Sequence, residues 1–350
     1  MGSKLSVNAH DSSHSTNRKR PILANAFKHG NNSFDKRPND KISVDKRSIE
    51  KSSGEKRCSA PISRLNSIKD GEPRLSAGSS TADTSLLCFN TFQKGQEDRM
   101  NANHFALKVL FDGNMLDTVK DNIDFHSSSV QVLDIGCGSG SWIMDMATEY
   151  PSAQFTGIDQ VALFPHDIRP ANVLFQKRDV LLGLDFEDNT FDFVQMRLFS
   201  LAFTRTQWAE SLKEAYRVTK PGGYIQLLEV QIRDPGDEVV HTFVEKVCCL
   251  MESNDQDPEV CKKLSAVVSE AGYEPLEDIK RVINLQTHVL KTELMYIIDI
   301  SIESCKRLMF EVYDIESEEA FQELKRIYVE SRMDSSESAF HCCVGRKPFS

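Results

Sequence analysis

Three carboxylates occupy matching places in the first half of the sequence, Asp134, Asp159 and Asp179. Each lies at the end of a short apolar run: VQVLDI at Val130–Ile135, QFTGID at Gln154–Asp159, and VLFQ at Val173–Gln176 leading into Arg178-Asp179-Val180. A carboxylate at a strand tip accepts hydrogen bonds from hydroxyls and amines and attracts cations. Between the first two tips stand glycines at 136, 138 and 140. There a missing side chain lets a ligand reach the backbone, and a positive φ carries no penalty. The set suits a ligand with an amino group, a ribose and an adenine amine, and with no phosphate. A dinucleotide fingerprint reads G-x-G-x-x-G, whereas here the third glycine comes one residue early. S-adenosylmethionine (SAM), a sulfonium cation, fits the acidic set.

Such tips need a sheet to align them. A strand, a glycine turn and a helix over 140–150, in that order, form the first unit of a doubly wound sheet, whose ligands lie outside the carboxyl ends of the strands. The pattern predicts further strands at Phe191–Met196, Tyr224–Val230, Lys280–Leu285 and Ala339–Val344. Helices are expected over 97–111, 115–123, 206–218, 238–251, 259–271, 290–312 and 318–332, with Phe164–Pro170 a proline-bracketed loop.

VLDIGCGSG, GID, RDV, EDNTFDFVQMR and RVTKPGGY together resemble the class I SAM-dependent methyltransferases. RMNANHFALKVLFDGN, WIMDMATEYP, FPHDIRPANVLFQ and GRKP resemble more closely the fungal branch that includes the regulator LaeA and the trans-aconitate methyltransferase-like proteins. The resemblance implies an α/β fold: a Rossmann-like, doubly wound, seven-stranded sheet with the last strand antiparallel. It places the motif region at 130–230 and a helical lid at about 237–335, inside a domain spanning 91–350. It implies a SAM site in which the backbone of Gly136, Cys137, Gly138 and Gly140 packs on the methionine and ribose. Asp134 then reaches the amino group or caps the turn, and Asp159, with Gln160 beside it, takes the ribose hydroxyls. Asp179 accepts from the adenine amine next to the Val180 amide, and Met196 and Arg197 line the face nearest the methyl group, unless Arg197 forms a structural ion pair. The helices before the sheet close over the cofactor, so Arg99 or His104 faces its carboxylate or packs between helices. Met295, Tyr296, Met309, Phe310 and Tyr313 line a lid pocket or serve helix packing.

The net charge of −10 hides an asymmetry. Residues 1–85 carry 16 Lys/Arg against 9 Asp/Glu, leaving 26 against 43 on the rest. Residues 1–90, polar and poor in aromatics, are expected to be a disordered basic arm. Such an arm suits an anionic membrane surface or protein partners, while the acidic body is a poor nucleic-acid binder. Asp35-Lys36-Arg37, Asp45-Lys46-Arg47 and Glu55-Lys56-Arg57 recur every ten residues, and Lys56–Ser59 and Arg64–Ser67 suit a basophilic kinase. Met1–Ser6 matches the myristoylation pattern, an anchor that needs a second signal such as the arm. Nine cysteines without a CxxC pair or a secretory leader point to a reducing compartment, cytoplasmic or nuclear, with peripheral membrane contact through the arm. Cys248-Cys249 and Cys342-Cys343 read as small core residues, and no metal is called for.

The sequence names no general base; His166, Asp167, His241 and His341 are the titratable candidates. Gln195-Met196-Arg197 after the fourth strand lacks the Asn/Asp-Pro-Pro-aromatic turn of base-amine methylation in DNA, and no Pro-Cys nucleophile lies near it. Methyl transfer to a small molecule or a protein remains, next to a LaeA-like regulator that keeps SAM with little turnover. A nicotinamide-linked dehydrogenase is disfavoured by the glycine spacing.

Overall fold

Val132, Leu133 and Ile135 put apolar groups on both faces of one strand, which requires cover on both sides. The computed structural model describes residues 95–233, 236–286, 288–335 and 337–349, and makes this strand part of a seven-stranded sheet. In chain order the elements are α1 (Gln96–Leu110), α2 (Asp117–Lys120), β1 (Gln131–Ile135), α3 (Ser141–Glu149), β2 (Gln154–Asp159), β3 (Val173–Lys177), β4 (Phe191–Arg197) and α4 (Arg205–Val218). There follow β5 (Thr219–Val230), α5 (Glu238–Ser253), α6 (Leu264–Glu270), β6 (Glu274–Asn284), α7 (Lys291–Ser304), α8 (Lys306–Tyr313), α9 (Glu318–Ser335) and β7 (Glu337–Arg346).

The strand order is β3-β2-β1-β4-β5-β7-β6. The first five strands are parallel, and β7 lies antiparallel between β5 and β6, as the resemblance implies. The order reverses between β1 and β4, the switch point outside which ligands of such sheets bind. Successive side chains alternate between faces. Val132, Phe155, Phe193 and Leu228 pack under α1, α3 and α7. Leu133, Ile135, Val194, Met196 and Leu227 pack under α4 and α6. A separate apolar cluster joins α5, α8 and α9 through Phe243, Cys248, Met309 and Phe321. Thr204 and Gln207 form a reciprocal capping box that starts α4.

Several expected boundaries move. The helix expected at 115–123 shrinks to α2, because Leu116 is extended and its N–H is drawn to Gln226 Oε1 at 2.8 Å. The long helix expected at 290–312 breaks at Cys305. Leu294 and Ile297 before the break bury against the sheet-side core, while Leu308 and Met309 after it bury against α5 and α9, and one straight helix cannot serve both. The sixth strand starts six residues earlier than its apolar alternation suggests, at Glu274, because pairing with β7 along its length outweighs the polar sequence of an edge strand. Thr219 already pairs with Phe191, ahead of an irregular Lys220–Gly223, so β5 starts before its glycines. The expected lid is interrupted as well, since α6 and β6 belong to the sheet layers and leave α5, α7, α8 and α9 as the helical cap. The basic arm, its ten-residue repeat, the kinase sites and the myristoylation pattern lie outside the described residues. Among the described residues no helix is long and apolar enough to cross a membrane.

Candidate functional site

The glycine turn after β1 is tied to the tip of β2. Gly136 and Cys137 donate their N–H groups to Ile158 O at 2.8 and 3.0 Å. Gly138, at φ 53°, donates to Asp159 Oδ2 at 2.9 Å, and Val161 N–H reaches Asp159 Oδ1 at 2.9 Å. A side chain at 138 would be strained by that φ, so glycine here is what lets the amide meet the carboxylate. Burial raises the Asp159 pKa, and the two N–H donors work against it. Each of its oxygens keeps a lone pair for a further donor. Gly140, at φ 78°, caps α3, and a Cβ there would lie 2.5 Å from Phe175 Cζ. Its main work is therefore close packing at the start of the helix. Cys137 is buried and contributes backbone only, whereas Gly136 and Gln160 are exposed.

Asp134 sits beside this turn, 2% exposed, with Oδ2 lacking any partner among the described residues. Burial pushes its carboxyl up to about 7, Arg197 pulls it back and Asp159 adds to the rise. Its register partner on β4 is Gln195, whose own partner on β5 is Gln226. The three form one buried polar row on the face under α1 and α3. Gln226 donates to Gln195 Oε1 at 3.1 Å, and Gln195 Nε2 is left without a partner. Sequence reasoning missed both glutamines; the available signal was a polar residue centred in the apolar runs FDFVQMR and YIQLLEV.

Arg197 shares this face, its guanidinium 5.8 Å from the Trp142 ring, and no carboxylate among the described residues pairs with it. It lines a recess of ≈ 10 Å³ with Trp142, Phe111, Met115, Leu228 and Cys342, about the room of one water. Met196 was expected beside it, but alternation turns Met196 into the opposite core, fully buried. Asp179 Oδ1 accepts from Leu181 N–H at 3.0 Å and caps the turn Val180–Leu182, and Val180 is buried against the α4 face.

The helix α1 covers this edge. Asn101 Oδ1 accepts from Ser139 Oγ at 3.1 Å and from Ser141 Oγ, and Met100 lies over Gly138. Arg99 Nε bonds Gln96 Oε1 at 2.8 Å, while His104 meets Asp145. Of the base candidates, His166, Asp167 and His241 are exposed, and His341 lies on β7 bonded to Gln231 at 3.3 Å. In the cap, Met309 is fully buried, and Tyr313 donates to Val239 O and packs against the cluster of α5, α8 and α9 together with Phe310.

Residues 132–223 match a family model described as a methyltransferase domain. Over those residues the chain is similar to methyltransferase domains, and regulators of the LaeA type are among its relatives. The chain is 31% identical over 110 residues to the secondary metabolism regulator LAE1 of Cochliobolus heterostrophus, covering 31% of this chain and 35% of that protein. It is 33% identical over 136 residues to the N-methyltransferase verN of Clonostachys rogersoniana, covering 38% of this chain and 46% of that one. The chain thus spans less than half the length of either of these relatives. A solved phosphoethanolamine N-methyltransferase of Haemonchus contortus in complex with SAM aligns at 17% identity over 75% of this chain and 60% of that one, with TM-score 0.43. The residues present fit SAM, the ligand expected from the sequence. The buried Asp134 oxygen has no donor among the described residues, Gly136 is exposed with the Phe199 ring against it, and Asp159 retains acceptor capacity.

Proposed function

We propose that the chain transfers a methyl group from SAM to a small-molecule or protein acceptor. The unpartnered, buried Asp134 oxygen beside the exposed glycine backbone carries this reading, because a carboxylate so placed costs stability unless a ligand donates to it. In this reading Asp134 receives the ammonium of the methionine moiety and Asp159 the ribose hydroxyls. Asp179 offers its remaining oxygen to the adenine amine, and Arg197 faces the carboxylate end. Bound SAM supplies an electrophilic methyl group on a sulfonium. The chain's own residues hold and orient it, and α1 excludes water, which is most of what an in-line displacement asks of a protein. Calorimetric titration with S-adenosylhomocysteine (SAH) tests the reading, with micromolar or tighter binding expected. Uptake of a nicotinamide dinucleotide in its place overturns it.

A second reading is favoured by the regulator names among the relatives. Here the chain keeps SAM, engages protein partners or an anionic membrane surface through its basic N-terminal residues, and turns over little. Partner capture with and without residues 1–90, next to SAH release on cell extract, separates the two.

A further inference from the structure

Met100, His104 and Lys108 recur every four residues and so share one face of α1. That face meets the glycine turn and α3. Met100 Sδ lies 3.1 Å from where a Cβ on Gly138 would stand. Both His104 and Lys108 reach Asp145, and His104 is 2% exposed. Asp145 Oδ2 takes His104 Nε2 at 3.2 Å, Lys108 Nζ at 2.6 Å and Asn114 Nδ2 at 2.8 Å. Burial works to raise the Asp145 pKa, yet these donors hold it below the usual carboxylate range. Asp145 is therefore charged and can only accept, so the imidazole proton sits on Nε2.

That assignment leaves the lone pair on Nδ1. This atom is buried and has no partner among the described residues. Burial lowers the His104 pKa against the pull of Asp145, and the charges of Arg197 and Lys108 lower it further, so the ring is neutral near pH 7. The neighbourhood is polar and incomplete. Asp134 Oδ2, Gln195 Nε2 and Asn114 Oδ1 also lack partners, and Arg197 stands over Trp142, whose Nε1 donates to Asn114 O at 2.9 Å. A tie between α1 and α3 needs only Nε2. A neutral imidazole with a carboxylate fixing its tautomer and a free lone pair on the other nitrogen is how proteins build a general base.

We infer that His104, oriented by Asp145, is the proton acceptor of the methyl-transfer site, and that the methyl acceptor is a hydroxyl or amine that must lose a proton. The inference rests on the SAM-dependent reading above. As the acceptor's O–H or N–H bond breaks, its proton passes to Nδ1 and its electron pair forms the bond to the methyl carbon. The carbon–sulfur bond breaks with its pair left on sulfur as a neutral thioether. The imidazolium is then held by Asp145 until it releases the proton to water.

The test needs no knowledge of the acceptor. Sinefungin carries an amine where SAM carries its methyl group, and SAH carries nothing there. In nitrogen-15 NMR of the full chain with labelled histidine, His104 Nδ1 is expected to be unprotonated in the SAH complex. Its resonance should move in the sinefungin complex, with Nε2 unchanged. In parallel, His104→Asn keeps a donor for Asp145 but offers no imidazole lone pair. The ratio of sinefungin to SAH affinity should fall about fivefold, the worth of one hydrogen bond. A protonated Nδ1 in the SAH complex, one resonance position in both complexes, or an unchanged ratio overturns the role of His104 while leaving SAM binding intact. Failure of the wild-type chain to bind SAH at all overturns the SAM-dependent reading first, and this inference with it.

Discussion

Beneath α4 and α6 the sheet is mainly apolar: Leu133, Ile135, Val194, Met196 and Leu227 pack against Trp208, Leu212 and Val268. Its buried carboxylate Glu229 is fully bonded to Phe199 and Ser200. The buried Thr219 hydroxyl there meets Ala215 O at 2.7 Å and Tyr273 Oη at 2.9 Å, and Trp208 Nε1 is left over. Beneath α1 and α3 the same strands carry Asp134, Gln195 and Gln226 in one row, with His104 and Asn114 above. Four buried polar atoms go unpaired on this side. Each such atom costs on the order of 1–3 kcal/mol, so a fold that keeps four together is shaped for something that binds there. One face of the sheet holds the molecule together, and the other gives up stability for recognition.

Substitutions on the two faces should therefore fail in opposite ways. Leu212, fully buried under the apolar face, is the strongest case. Leu212→Ala should cost about 2–5 kcal/mol in denaturant unfolding, with SAH affinity unchanged in the protein that remains folded. A matching loss of affinity would erase the contrast. On the recognition side, Asp159→Ala removes charge-assisted bonds worth roughly 1.5–3 kcal/mol each, and calorimetry should show SAM binding weakened at least tenfold. Unchanged affinity would mean that the tip of β2 does not touch the ribose.

Asp134→Asn sharpens the comparison through pH. Because burial raises the native carboxyl to about 7 from an ordinary 3.8, the native state holds its proton more tightly than the unfolded chain does. The stability this contributes is complete below about pH 4 and is lost as pH rises through 7. At pH 8 the ligand-free Asn variant should be more stable than wild type by up to about 4 kcal/mol, roughly 1.4 kcal/mol for each unit of that rise. At pH 3.5 scanning calorimetry should find the two alike, and SAM affinity should fall in the variant. Equal stability at pH 8 would show that Asp134 is satisfied without a ligand. The smallest effect is expected away from both faces. Arg326 pairs with Glu323 and Glu330 on the surface of α9, each at 2.7 Å. Its replacement by Ala should move stability by less than about 0.5 kcal/mol.

The apolar face and the glycine turn were legible because local rules govern both. Apolar runs place β1 to β5, and the offset third glycine with acids at the strand tips points to SAM from sequence alone. The recognition face was legible only in part. Asp134 could be picked out beside its glycines, but Gln195 and Gln226 carry no motif and become a row only when register aligns them. His104 and Asp145 stand 41 residues apart, joined by a helix that folds back over the sheet. Met196 and Arg197 were grouped because they are adjacent, although adjacency in a strand sends side chains to opposite faces. The break at Cys305 has neither proline nor glycine to announce it and follows from two clusters competing for one helix.

The place of β7 carries a consequence for how the molecule forms. Its neighbours are β5, which ends at Val230, and β6, which ends at Asn284, yet β7 begins only at Glu337, after α7, α8 and α9. Until that strand arrives, β5 and β6 each present an open rank of amides and carbonyls, the kind of rim that captures strands from other molecules. Closing so long a loop is slow for entropic reasons. Refolding should therefore end with β7 sliding home between two waiting strands, and crowded solutions should punish any delay with aggregation.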